Sequence, residues 1–254
     1  MTPFSHPTPR LKTRLKAGEA LGCHWLGLGS PSLAELAAEE EPDAIVFDLQ
    51  HGVWDRTSLD LAVGAVAGRA PVIARTQDQS LFAINSALDA GCHGVIVPLV
   101  DSAAECAAVV AAAHYPPKGR RSAGGARSTG SFAAYQAATA VHLLVAVMIE
   151  TAAGVDASEA IAATPGLDMI FIGPTDLSLA LGEVMGSPLF EAAVARILAA
   201  GKAAGVPVGI YTGSTQQALQ RAEQGFQFMV VANDTHLAKV GAAAAWKTFR
   251  AGGQ

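Results

Sequence analysis

The sequence predicts an α/β protein built as one (β/α)8 barrel of the TIM type. Three observations carry that expectation. Eight short apolar runs recur along the chain, each followed by a segment of helical length. No break in composition divides residues 19 to 254 into separate units. The Gly-x-Gly-x-x-Gly turn of a doubly wound dinucleotide-binding sheet is missing after the first run. Short apolar runs bounded by glycine and proline read as strands buried on both faces. Eight strand–helix units in a chain of 254 residues suit a closed barrel.

Residues 1–18 read as an N-terminal tail that ends in a short basic helix, Arg10 to Ala17. The barrel domain then spans residues 19–254, beginning with a strand at Leu21–Leu28 and a helix opened by Ser30 as cap and Pro31 in its first turn. Ala44–Asp48 is a second strand, with a helix over Ser58–Ala67. Pro71–Arg75 is a third, with a helix over Ser80–Ala90 closed by Gly91. Gly94–Pro98 and the alanine-rich Ser102–Ala113 make the fourth unit, and Leu143–Glu150 with Ala152–Ala163 the fifth. Met169–Gly173 with helical pieces to Ala204, Pro207–Tyr211 with Thr215–Gln224, and Phe228–Val231 with Thr235–Arg250 complete the count. Two stretches break the rhythm, the Gly- and Arg-rich 115–130 and the shorter 182–188; long loops of this kind are functional or disordered.

The chain is 51% hydrophobic and 15% charged with a net charge of −5, enough apolar material for a large core and the wrong sign for a nucleic-acid binder. Arg120, Arg121 and Arg127 form a local basic cluster in a glycine-rich loop. Three cysteines without CxxC spacing fit a reduced, cytoplasmic setting. No signal-peptide core and no apolar run of about 18 residues appears, so the expectation is a soluble chain without a membrane span.

The chemistry gathers at the strand ends, which in a closed parallel barrel face one mouth. Glu150 closes the fifth strand, and Asp176 follows the sixth after a Gly-Pro-Thr turn. Two carboxylates so placed can share a divalent cation such as Mg²⁺ or Mn²⁺ that prefers oxygen ligands. The structural alternative makes Asp176 a helix cap and puts Glu150 in the first turn of the following helix. His51 follows the second strand in Asp48-Leu-Gln-His-Gly52, where an imidazole can take and return a proton, although a lone loop histidine often has no such role. Arg75 ends the third strand; a buried guanidinium needs an anion, either a substrate oxyanion or a protein carboxylate such as Asp48. A divalent cation, a base and a fixed guanidinium around one cavity suit chemistry through an enolate. None of the six lysines falls on an expected strand, which disfavours a Schiff base.

The segments that hold these residues resemble the HpcH/HpaI aldolases, metal-dependent (class II) pyruvate aldolases. They are Asp48–Gly52, Arg75, Val97-Pro98, Tyr115-Pro-Pro-Lys-Gly-Arg-Arg121, Ile149-Glu-Thr151 and Phe171-Ile-Gly-Pro-Thr-Asp-Leu-Ser178, in order across residues 18 to 245. The resemblance implies a barrel whose last helix is exchanged between paired subunits, assembled as a homohexamer, a trimer of dimers. It implies that Glu150 and Asp176 hold Mg²⁺, Mn²⁺ or Co²⁺ with a 2-oxo acid, that His51 is the base and that Arg75 stabilises the enolate. Asp89 matches an aspartate that raises the basicity of that histidine; late in the third helix, it would have to reach a neighbouring subunit's site. Gly173, Pro174 and Thr175 match the turn that meets the substrate carboxylate. Trp25 matches a residue lining the pocket, though a core tryptophan is the plainer reading.

Two positions depart from the pattern. Gln50 stands where many members have Glu, and Met148 where many have a Gln that touches the bound oxo acid. The expected reaction is reversible cleavage of a 4-hydroxy-2-oxo acid into pyruvate, or a close analogue, and an aldehyde. The alternatives are a citrate-lyase-β-like acyl-CoA lyase, for which Arg120, Arg121 and Arg127 would meet the CoA phosphates, and a barrel that binds metal and oxo acid without turnover.

Overall fold

In the computed structural model, which describes residues 8–125 and 131–252, eight parallel strands pair in sequence order and β8 closes onto β1. The strands are β1 (Leu21–Leu26), β2 (Ala44–Asp48), β3 (Val72–Arg75), β4 (Gly94–Val97), β5 (Leu144–Ile149), β6 (Met169–Ile172), β7 (Val208–Ile210) and β8 (Phe228–Asn233). The helices are α1 (Thr8–Lys16), α2 (Pro31–Glu39), α3 (Arg56–Val66), α4 (Leu81–Asp89), α5 (Ala103–Ala113), α6 (Phe132–His142), α7 (Ala152–Asp156), α8 (Ser158–Ala162), α9 (Pro174–Leu181), α10 (Pro188–Ala204), α11 (Thr215–Gln224) and α12 (Asp234–Gly252). The expected single (β/α)8 barrel is the observed architecture, with most boundaries within one to three residues of the sequence reading.

Two cores follow from the period-2 alternation of the strands. One side-chain set points outward and packs under the helices, as Ile45, Phe47, Val145 and Val147 do. The other fills the barrel lumen: Cys23 and Trp25 from β1, Val46 from β2, Ile73 from β3, Ala146 and Met148 from β5, Phe171 from β6 and Phe228 from β8. The basic helix α1 belongs to this second core, since Leu11 and Leu15 are buried with the lumen side chains. Lys12 fastens it by an ion pair to Asp168 at 2.7 Å and a bond to the Leu143 carbonyl.

Two places differ from the expectation. Helix α6 occupies a stretch in which no helix was expected; alanine-rich sequence next to a glycine-rich loop carries little apolar periodicity, and only Tyr135 and Thr139 of α6 are buried. Arg121 is no surface cation. It is 2% exposed, stacked on Tyr115 at 4.7 Å and Tyr135 at 5.7 Å, and paired with Asp89 at 3.0 Å. Of the expected basic cluster that leaves Arg120 exposed, while Arg127 lies outside the described residues. Beyond Asp234 every described residue of helix α12 is exposed, including Leu237, Val240, Trp246 and Phe249.

No helix among the described residues is long and apolar enough to cross a membrane.

Candidate active site

The alternation that fills the lumen also aims the functional side chains. Asp48 lies two residues after inward-facing Val46, Arg75 two after Ile73, Glu150 two after Met148 and Gly173 two after Phe171. All therefore open on the same end of the barrel, where the strands' C-termini enclose a cavity of about 270 Å³. Its lining includes Trp25, His51, Arg75, Met148, Glu150 and the whole turn from Gly173 to Asp176.

Asp48 organises the β2–β3 side. Its carboxylate takes Arg75 through both Nε, at 2.8 Å, and Nη2. It also accepts from Trp25 Nε1 at 3.2 Å and from the backbone N–H groups of Gln50 at 3.1 Å and His51 at 3.2 Å. Burial alone would raise this carboxyl, but the Arg75 guanidinium outweighs it and holds Asp48 below the usual carboxylate range. The result is a fixed fork. Arg75, 5.2 Å above the Trp25 ring, keeps Nη1 without a protein partner among the described residues. The Asp48 turn carries His51 to the cavity with its side chain exposed. Gly52 makes the turn feasible, because a Cβ there would collide with the Asp48 carbonyl.

Trp25 is both core and lining. It is 2% exposed, stacks on Phe171 at 5.5 Å and forms the cavity floor.

The β5–β6 side is acidic. Glu150 is 1% exposed; Oε1 accepts the Leu99 N–H at 2.8 Å, and Oε2 has no hydrogen-bond partner among the described residues. Burial pushes this carboxyl up to about 7, against the Leu99 N–H and with the help of the nearby Asp176 charge. Leu99 presents that N–H from a left-handed conformation, φ 57°. Neither carboxylate takes the place that the structural alternative gave it, Asp176 as a helix cap and Glu150 in a first turn. Helix α9 starts at Pro174 with Gly173 as its cap, so Asp176 lies inside the first turn, half-buried at the cavity. Glu150 precedes Thr151, the residue that caps α7. Gly173 leaves the room that Oε2 needs, since a Cβ at that position would collide with it.

An orphaned buried carboxylate oxygen, a second free carboxylate beside it and a glycine that keeps the space clear fit a divalent cation with hard oxygen ligands. Among the described residues no cluster of three or more His, Cys, Asp or Glu offers a fuller protein ligand set, so the other positions would fall to water and substrate oxygens.

Asp89 is not brought into this cavity. At the end of α4 it lines a separate groove beside α3 and holds Arg121. Tyr211 and Asn233 do line the cavity, and the sequence reading missed both. Tyr211 was legible, two residues after inward-facing Gly209. Asn233 was not: the register of β8 on β1 shifts between Val230 and Ala232, which turns an odd-numbered residue inward beside Trp25. None of the six lysines lies on a strand or in the lining.

The HpcH/HpaI aldolase/citrate lyase family model matches residues 22–239. The chain belongs to that family. It is 38% identical to a hydroxypyruvate/pyruvate aldolase of Pseudomonas aeruginosa, over 91% of this chain and 89% of that protein. It is 36% identical to a 4-hydroxy-2-oxovalerate aldolase of Novosphingobium aromaticivorans, over 79% and 80% respectively. The crystal structure of an HpcH/HpaI aldolase/citrate lyase family protein from Burkholderia cenocepacia superposes with a TM-score of 0.89 at 34% identity, covering 95% of this chain and 99% of that one. The chain is thus an enzyme of the aldolase and lyase type.

Proposed function

We propose that this HpcH/HpaI member is a divalent-metal-dependent aldolase that reversibly cleaves a 4-hydroxy-2-oxo acid into pyruvate, or a close 2-oxo acid analogue, and an aldehyde. The observation that carries the reading is the Oε2 of buried Glu150, unpartnered among the described residues, in the same cavity as the Asp176 carboxylate whose charge it feels, with its space kept open by Gly173. Glu150 and Asp176 would hold Mg²⁺, Mn²⁺ or Co²⁺, which supplies Lewis-acid polarisation of a ketone oxygen.

The chain's own groups do the rest. Gly173, Pro174 and Thr175 open α9, and the free N–H groups of that first turn, Pro174 having none, suit a substrate carboxylate. The Nη1 edge of Arg75, locked by Asp48 and Trp25, meets the oxyanion that develops as the carbon–carbon bond breaks. His51 moves the proton at the substrate hydroxyl and at the methyl carbon of the 2-oxo acid. Met148 adds apolar wall where an amide would add a donor. Asp89, held by Arg121 away from the cavity, would serve only the site of a neighbouring subunit. The exposed apolar side chains of α12 suit exchange of that helix with a partner subunit in a homohexamer, a trimer of dimers.

The acyl-CoA lyase alternative loses support because Arg121 is buried between two tyrosines rather than free for a phosphate. Pyruvate release from 4-hydroxy-2-oxovalerate by EDTA-stripped protein, before and after Mg²⁺ or Mn²⁺ is returned, tests the reading. Release that depends on added metal supports it; none with either ion, or with Co²⁺ in their place, contradicts it.

A further inference from the structure

Tyr211 and Asn233 form the cavity wall at β7 and β8, and the roles assigned above use neither. Their hydrogen bonds fix where each proton points. Asn233 Oδ1 accepts the backbone N–H of His236 at 3.1 Å, in the first turn of α12. A backbone N–H can only donate, so the atom that meets the Tyr211 hydroxyl at 2.7 Å is the amide's donor end, Nδ2. The phenolic oxygen therefore accepts, and its own hydrogen points elsewhere. No protein acceptor takes that hydrogen among the described residues. The ring is held edge-on to Trp25 at 5.4 Å, and its backbone N–H bonds the Ile172 carbonyl at 3.1 Å, beside the Gly173 turn. Burial raises the phenol above its ordinary value, so it stays a neutral donor across the neutral pH range.

On the aldolase reading, on which this inference rests, the substrate carboxylate and ketone already have partners: the α9 turn, the two carboxylates and Arg75. The part of a three-carbon 2-oxo acid left for a neutral donor is its third carbon. We propose that Tyr211, oriented by Asn233, is a specificity-determining residue that donates a hydrogen bond to an oxygen on C3 of the 2-oxo acid, favouring a 3-hydroxy-2-oxo acid over its deoxy counterpart. A half-buried donor in the wall of a small cavity is left unpaired by the deoxy compound, and this is how polar sites discriminate between such pairs. Asn233 acts through Tyr211 and is a positioning residue.

The test is C3 proton exchange in D₂O with Mg²⁺-loaded protein, measured against concentration for hydroxypyruvate and for pyruvate. Tyr211→Phe removes only the hydroxyl and should raise the apparent KM for hydroxypyruvate about five- to tenfold more than that for pyruvate. Asn233→Asp keeps ring and hydroxyl but turns the phenolic proton onto the new carboxylate, so it should shift the same ratio in the same direction. Taking the ratio cancels a general effect of the added charge. A ratio unchanged in either variant overturns the proposal. A wild-type protein that exchanges neither compound overturns the aldolase reading, and this proposal with it.

Discussion

Replacing Glu150 with glutamine should make the metal-free protein more stable at pH 8 while costing it the ability to take up a cation. Glu150 is 1% exposed, and burial, opposed by one N–H from Leu99 and reinforced by Asp176, raises its carboxyl from 4.5 to about 7. Below pH 4.5 both folded and unfolded chains carry the proton. Between pH 4.5 and 7 the unfolded chain has lost it and the native one keeps it, so this group's stabilisation falls as pH rises and is gone above 7. A gap of this size corresponds to about 3 kcal/mol. Glutamine still accepts from Leu99 and carries no charge, so the term vanishes. Urea unfolding of both proteins in EDTA, at pH 5 and pH 8, reads the difference directly. The variant should gain on the wild type by about 2.5 kcal/mol between the two pH values, because part of the loss has already occurred at pH 5. Added Mn²⁺ should then stabilise the wild type and leave the variant unchanged. A gap between the proteins that does not change with pH would refute the reasoning, because Glu150 would then be neither strained by burial nor waiting for a positive partner.

Arg75→Ala should lower the aldol rate by at least about 10²-fold, the scale of a lost oxyanion partner. Arg75→Lys should restore only part of it in the same steady-state assay, since a point charge cannot hold Asp48 bidentately and still face the cavity. Gly173→Ala, whose Cβ would collide with Glu150 Oε2, should weaken Mn²⁺ binding in calorimetry while the far-UV spectrum is retained. A Trp246→Glu, Phe249→Glu double variant removes two large exposed side chains of α12, and sedimentation should show a smaller particle than the wild type.

Much of this arrangement was legible in the sequence because it depends on local rules. The strands announce themselves as apolar runs, and the same alternation that buries Ile73 and Phe171 in the lumen forces Arg75 and Gly173 to its mouth. The pairing of Arg75 with Asp48 follows from the cost of burying a guanidinium alone, which a reader of the chain can weigh without coordinates. What escaped notice depends on geometry that composition does not encode. A register shift in β8 brings Asn233 inward, against the count that a regular strand would give. Arg121 looked like a loop cation because its glycine-rich neighbours gave no sign of the two tyrosines, one on the helix α6 that went unseen, that would enclose it. For α12 the expectation of an exchanged helix came through the family resemblance alone, for its apolar residues would look the same against this barrel or another.

The measurement that bears most directly on the central claim is deuterium exchange into the methyl group of pyruvate, followed by NMR on EDTA-stripped protein with and without Mg²⁺. It requires no knowledge of the aldehyde. The buried Glu150 carboxylate with half-buried Asp176 beside it, the fixed guanidinium and the exposed imidazole predict exchange that starts with the metal, stops with chelation and is slowed by His51→Ala. Exchange that proceeds equally well in EDTA, or no exchange with Mg²⁺, Mn²⁺ or Co²⁺, would contradict a metal-assisted enolate at this site.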